Sequence, residues 1–86
     1  MTIKELRQFF NDHLVPEKLY SLNGNHKNRV CLEKSDDGWD LYFSDHKVKV
    51  GLLHYPTEAE ACIGMKAEIH KIMRSIYGLS WANTPV

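Results

Sequence analysis

The side chains in this sequence best able to do chemistry are five histidines, two cysteines and two close carboxylate pairs. These are His13, His26, His46, His54 and His70; Cys31 and Cys62; and Asp36-Asp37 and Glu58-x-Glu60. Imidazole and thiolate at short, regular spacing would hold zinc. No His-x-x-x-His occurs, however, and no cysteine lies within four residues of a histidine. The histidines therefore read as scattered structural or surface imidazoles, and no metal site is expected. Cys31 and Cys62 form no Cys-x-x-Cys pair and read as reduced, buried thiols. Paired carboxylates can divide general acid and base roles. Here Asp36-Asp37 is followed by Gly38, which is turn chemistry, and Glu58-x-Glu60 is the acidic first turn of a helix. No serine or cysteine sits in a glycine elbow, and neither Gly-x-x-x-x-Gly-Lys nor Gly-x-Gly-x-x-Gly is present to cradle a phosphate. The expectation is a protein that is not an enzyme, with no catalytic residue and no cofactor.

Eighty-six residues form one small core, so residues 1–86 read as a single domain. Its elements should be a helix over about residues 3–14, strands over about 29–34, 39–44 and 47–55, a helix over about 57–77, and an irregular tail over 79–86. Thr2-Ile3-Lys4-Glu5 matches a capping box. Ile3, Leu6, Phe9, Phe10, His13 and Leu14 then recur at helical spacing, until Pro16 disfavours helix at Val15. Leu19-Tyr20-Ser21-Leu22 could be a short edge strand or extended chain, and Asn23 to Asn28 is a loop. From Arg29 to Tyr55 the period changes to two, with turns at Asp36-Asp37-Gly38 and Ser44-Asp45-His46. Thr57 caps the last helix, whose buried stripe is Ala61, Cys62, Met65, Ile69, Ile72, Met73 and Ile76, and Gly78 is its stop. Gly64 inside that helix implies a close neighbour, and Trp81 in the tail is a candidate lid on the core.

The fold class that follows is α+β. An antiparallel meander of three to four strands is flanked by N- and C-terminal helices packed on one face. Strict alternation puts Val30, Leu32, Trp39, Leu41, Phe43, Val48, Val50 and Leu52 on the covered face. The open face then carries Glu33, Asp40, Tyr42, Lys49, Leu53 and Tyr55, with no third layer over it.

Charge narrows the function classes. Eleven Lys and Arg balance eleven Asp and Glu, whereas a generic nucleic-acid binder is normally basic. No apolar run is long enough to span a bilayer, and Met1-Thr2-Ile3-Lys4-Glu5 has no secretory pattern, so a cytoplasmic protein is expected. Residues 30–60 hold seven carboxylates against three lysines, and five of those carboxylates fall between positions 33 and 45. Besides a plain solvated rim, this permits an acidic surface that steers a basic protein partner. Its candidate residues are Glu33, Asp36, Asp37, Asp40 and Asp45, with Tyr42 and Tyr55 as anchors. Trp39 shares parity with Leu41 and Phe43 and reads as core.

Four segments, in this order and spacing, resemble one family. They are Leu19-Tyr20-Ser21-Leu22-Asn23-Gly24, Cys31-Leu32-Glu33-Lys34, Asp37-Gly38-Trp39-Asp40-Leu41-Tyr42-Phe43-Ser44 and Tyr55-Pro56-Thr57-Glu58-Ala59-Glu60-Ala61-Cys62. The family is that of small bacterial immunity proteins encoded beside polymorphic or contact-dependent growth inhibition toxins. Its members often read Ser-Glu-Arg-Gly where this chain has Ser44-Asp45-His46-Lys47, and a glycine-leucine-proline pattern is missing after Gly24. The resemblance implies a protein that binds a cognate toxin domain, often a nuclease, and masks it without covalent chemistry. It transfers no contact residue, because such proteins vary most where they touch their own toxin. Two other readings stand beside it. One is a nucleic-acid-associated regulator that uses the open sheet face. The other is a homo-oligomer that covers Tyr42, Leu53 and Tyr55 on that face.

Overall fold

The computed structural model describes residues 1–78. The tail over 79–86, with the expected Trp81 lid, lies outside the described residues. The first helix, α1 (Ile3–Asp12), starts as its capping box requires. Thr2 Oγ1 accepts from the Glu5 amide at 3.2 Å, and the Glu5 carboxylate accepts from the Thr2 amide at 2.9 Å. The helix ends two residues before the expected boundary. Leu14 takes a left-handed φ of +56°, and Val15 N–H donates to the Phe10 carbonyl at 2.9 Å, a reversal usually made by glycine. Leu14 therefore leaves the apolar stripe and is exposed.

A short 3-10 turn (Glu17–Leu19) leads into β1 (Tyr20–Ser21), β2 (Val30–Ser35), β3 (Gly38–Asp45) and β4 (Val48–Tyr55), followed by α2 (Glu58–Tyr77). The sheet order is β1-β2-β3-β4. β2, β3 and β4 form the expected antiparallel meander, but β1 pairs parallel to β2, so the four-stranded sheet is mixed. α2 is capped by Thr57 Oγ1, which accepts from the Glu60 amide, and stops at Gly78 with φ +67°.

The helices cover one face of the sheet. Leu6 and Phe10 of α1 and Ala61, Cys62, Met65, Ile69 and Met73 of α2 close on Tyr20, Val30, Leu32 and Leu41. Each fully buried large apolar side chain here contributes about 1.5–3 kcal/mol by leaving water. The two helix starts are tied together, since Ile3 N–H donates to the Glu58 carboxylate at 3.0 Å. Ile72 packs on the rim of the core, whereas Ile76, one turn beyond, is exposed, so the buried stripe of α2 is shorter than its apolar pattern.

The strict alternation expected for β4 breaks at Gly51. Leu41 pairs with Leu53, but Phe43 pairs with Val50, so two residues, Gly51 and Leu52, oppose Tyr42 alone. Gly51 has φ +65°, the geometry of a bulge whose first residue is a left-handed glycine. One extra residue reverses the parity of everything after it. Val48, Val50, Leu53 and Tyr55 therefore share the helix side, while Lys49, Leu52 and His54 share the other. Leu53 and Tyr55 are thus not on the open face, and Leu52 is not on the covered one. Tyr55 lies against Gly64, where an added Cβ would collide with the phenol oxygen, which accounts for a glycine inside α2. α2 does not reach β4 fully: Phe43, Val48 and Val50 remain 43–64% exposed, against the expectation of burial, and Leu53 beside them is 49% exposed.

Candidate functional site

The second face of the sheet is not bare. The loop over 23–28 folds back across one half of it and is held by hydrogen bonds of Asn25 and Asn28, and of Arg29 just after it. Asn28 N–H donates to the Ser44 carbonyl at 2.6 Å, and the Ser44 amide donates to the Arg29 carbonyl at 2.9 Å. Ser44 Oγ donates to Asn25 Oδ1 at 2.5 Å, and Asn25 Nδ2 donates to the Lys47 carbonyl at 3.0 Å. Lys47 Nζ donates to the Asn25 carbonyl at 2.9 Å, and the His46 amide donates to Asn28 Oδ1 at 3.1 Å. Under this loop Cys31 and Ser44 are fully buried, and burial pushes the Cys31 thiol up.

The other half of that face carries charge in an ordered pattern. Glu33 and Asp40 stand directly opposite each other on β2 and β3, a like-charge pairing that is unfavourable unless neutralised. β4 supplies both partners, the cation Lys49 and the imidazole of His54. Lys49 Nζ donates to Glu33 Oε1 at 2.9 Å, reaching across the Tyr42 ring with its nitrogen 5.0 Å from the ring centre. His54 Nδ1 lies 2.8 Å from Asp40 Oδ1, and its Nε2 lies 3.5 Å from Asp37 Oδ1. A neutral imidazole donates from one nitrogen only, whereas the cation donates from both. The hydrogen bond to Asp40, and then the Asp37 charge, hold the His54 pKa above its ordinary value.

Tyr42 lies beneath Lys49 with only 2% of its surface exposed. Its hydroxyl is buried and makes no well-formed hydrogen bond among the described residues. Burial first, and then the neighbouring Glu33 charge, raise its pKa well above that of an ordinary phenol. It braces the face from beneath and is not an accessible anchor.

The seven expected site residues therefore divide. Glu33, Asp36, Asp37 and Asp40 come together at the β2–β3 end of the sheet. Asp36 and Asp37 form the tip, and the Asp37 side chain is 85% exposed. Asp45 lies at the far end of β3, roughly 17 Å away at the usual strand rise, against His46. Tyr42 is underneath, and Tyr55 is on the helix side. The residues that position the cluster but were not singled out with it are Lys49 and His54. Their signal in the sequence was their place on β4, opposite the two acidic strands.

The tip is locked in place by Gly38, whose φ is +158° and where an added Cβ would strike the Tyr55 carbonyl oxygen. Elsewhere, Arg7, Glu17, Tyr20 and Arg29 line a polar cleft of about 290 Å3 between α1 and the loop. A more apolar cleft of about 280 Å3 lies between α2 and β4, lined by Phe43, Val50, Leu53 and Glu68 among others. Among the described residues, no three His, Cys, Asp or Glu side chains converge as metal ligands, and no helix is long and apolar enough to cross a membrane. Comparison with known protein families, with curated proteins and with solved structures gives no match for this chain.

Proposed function

We propose that this chain is an immunity protein of a bacterial contact-dependent or polymorphic toxin system. It acts in the cytoplasm by binding a cognate toxin domain and masking it without covalent chemistry. The observation that carries this reading is the β2–β3 tip. Two adjacent carboxylates, Asp36 and Asp37, project from a ladder that is fixed in register from Val30 to Gly38. Behind them Glu33 is paired with Lys49 and Asp40 is hydrogen-bonded to His54, whose other nitrogen lies 3.5 Å from Asp37, so Asp36 and Asp37 are the outward-facing carboxylates of this end. A fixed exposed charge of one sign accelerates encounter with a surface of the other sign and orients it. A toxin domain that acts on nucleic acid needs a basic surface for its substrate, and an acidic tip is complementary to such a surface.

A nucleic-acid-associated regulator using the open sheet face needs aromatic rings exposed there for bases to stack on. Tyr42 is buried, and Tyr55 is turned to the helices. The test is co-expression with the C-terminal domain encoded by the reading frame directly upstream. Restored growth and a one-to-one complex are expected. Continued toxicity together with salt-sensitive binding of single-stranded or duplex oligonucleotides would favour the nucleic-acid reading instead.

A further inference from the structure

The polar cleft beside α1 takes no part in the acidic tip, and its walls come from separate stretches of chain. Arg7 and Asn11 stand one turn apart on α1, Glu17 belongs to the 3-10 turn, Tyr20 lies on β1, and Asn23 and Arg29 bound the loop side. Arg29 is held in place, because its Nη1 donates to the Glu17 carbonyl at 3.3 Å, and that bond leaves most of its N–H donors open. Among the described residues neither guanidinium has a carboxylate within ion-pair distance, although Glu17 lines the same cleft. The Asn23 amide is matched only at its oxygen. Ser21 Oγ places its one hydrogen between the Gly24 carbonyl at 2.9 Å and Asn23 Oδ1 at 3.2 Å, which leaves Asn23 Nδ2 as a further open donor. The cleft thus holds a surplus of donors, two of them on permanent cations, against one carboxylate. Two guanidinia on one concave surface repel each other, and an anion between them removes that cost.

We propose that this cleft binds a small sugar phosphate, with the phosphate group between Arg7 and Arg29 and the sugar hydroxyls toward Glu17. The proposal is independent of the toxin reading. A carboxylate offers two oxygens in one plane, which a single guanidinium fork satisfies. A phosphate monoester offers three oxygens and nearly two charges, which suits two guanidinia that approach from different elements. The volume of about 290 Å3 falls at the lower end of small-molecule sites and leaves room for an organic part beyond the phosphate itself. Beyond the arginines the walls carry Asn11, Asn23 and Glu17, so hydroxyl groups fit them better than an apolar body. Glu17 is the acidic member of the lining. It accepts from hydroxyls but repels a bare phosphate, so it favours a sugar phosphate over the free ion. The Tyr20 ring packs on Phe10 with centroids 4.7 Å apart and is 7% exposed, which fixes the floor.

Amide-resolved NMR titration of the whole chain with ribose-5-phosphate, inorganic phosphate and ribose tests this. The sugar phosphate should saturate by millimolar concentration, shift amides within residues 7–29, and bind at least about tenfold tighter than either inorganic phosphate or ribose. Arg7→Gln and Arg29→Gln should each weaken it at least about tenfold, as the loss of a charge-assisted hydrogen bond does. Arg74→Gln removes the same charge from an exposed position of α2, which does not line the cleft, and should leave the affinity unchanged. The proposal is overturned by the absence of a saturable shift, by inorganic phosphate binding as tightly as the sugar phosphate, or by Arg74→Gln weakening binding as much as Arg7→Gln. A single-stranded oligonucleotide that displaces the sugar phosphate at lower concentration overturns it too, in favour of a nucleic-acid surface. Arg7 is exposed and outside the core, so Arg7→Gln decides alone if Arg29→Gln does not fold.

Discussion

The two hairpin turns of the sheet sit at opposite ends of β3 and are built on opposite principles. At the β2–β3 end, the turn is made by residues suited to it. Asp36 and Asp37 keep negative φ, and Gly38 alone takes the conformation that would strain any other residue. At the β3–β4 end, His46 and Lys47 both hold positive φ, at +50° and +76°, in a two-residue turn that strongly prefers Asn-Gly or Asp-Gly. Local support for that turn is the Asp45 carboxylate 2.8 Å from His46 Nδ1, with no glycine to accept either φ. The loop over 23–28 enforces it, through bonds from Asn25 and Asn28 to Lys47 and His46 across about twenty positions of sequence. The first turn needs no distant loop to hold it and keeps its carboxylates outward, with the 85% exposed Asp37 side chain 3.5 Å from His54 Nε2. The second is shaped by the rest of the chain and spends its polar groups internally. An acidic residue is therefore a better candidate contact at the first end than at the second, which separates Asp36 and Asp37 from Asp45.

The comparison is broken most severely at Gly38. Gly38→Ala meets both backbone strain and the Tyr55 carbonyl, and should cost about 2–4 kcal/mol in chemical denaturation. A loss below about 0.5 kcal/mol would mean that the tip is not locked in the way described. At the other end, Asn25→Ala leaves buried Ser44 without its side-chain acceptor and removes the tether to Lys47. We expect a loss of about 1–3 kcal/mol, with faster labelling of the Cys31 thiol as its loop cover opens. Lys47→Gly should do the reverse and stabilise the protein by about 0.5–1 kcal/mol, because glycine accepts φ +76° without a Cβ penalty.

His54 separates the two ends by pH. Its folded-state pKa is raised by Asp40 and Asp37, so its stabilising contribution is complete below its ordinary value of 6.5 and is lost as pH rises through the folded value. Stability should therefore fall slightly from mildly acidic pH to pH above the folded value. His54→Gln should flatten that part of the profile, as read from denaturation midpoints across the range.

Much of this fold was legible in the sequence, because its signals are local. The Thr2 and Thr57 caps, the Gly78 stop and the alternation of β2 and β3 each depend on neighbours within a few positions. What was not legible came mainly from two physical causes. The first is the Gly51 bulge. Reading β4 with one unbroken period put Leu53 and Tyr55 on the wrong face, although an isolated glycine within a strand is itself a bulge signal. The second is the loop over 23–28, whose fold onto the sheet depends on Ser44, His46 and Lys47 far along the chain. No periodicity reports such contacts, so the burial expected for Cys31 is observed but the loop that provides it was not foreseen. The parallel pairing of β1 is too short, at two residues, to leave a pattern. The acidic cluster was visible as composition, but its division into a tip and a distant Asp45 was not, because that depends on which end of β3 each residue occupies.

The central claim is that the exposed charge of Asp36 and Asp37 guides a protein partner. Its most direct test is the association rate between this chain and the proposed partner, the C-terminal domain of the reading frame directly upstream, with Asp36→Lys and Asp37→Lys combined, at low and high salt. Both positions are exposed and outside the core, so the fold should persist. The account predicts an association rate at least about tenfold slower in low salt, with the variant and the wild type converging as salt screens the field. Equal rates at low salt would contradict it.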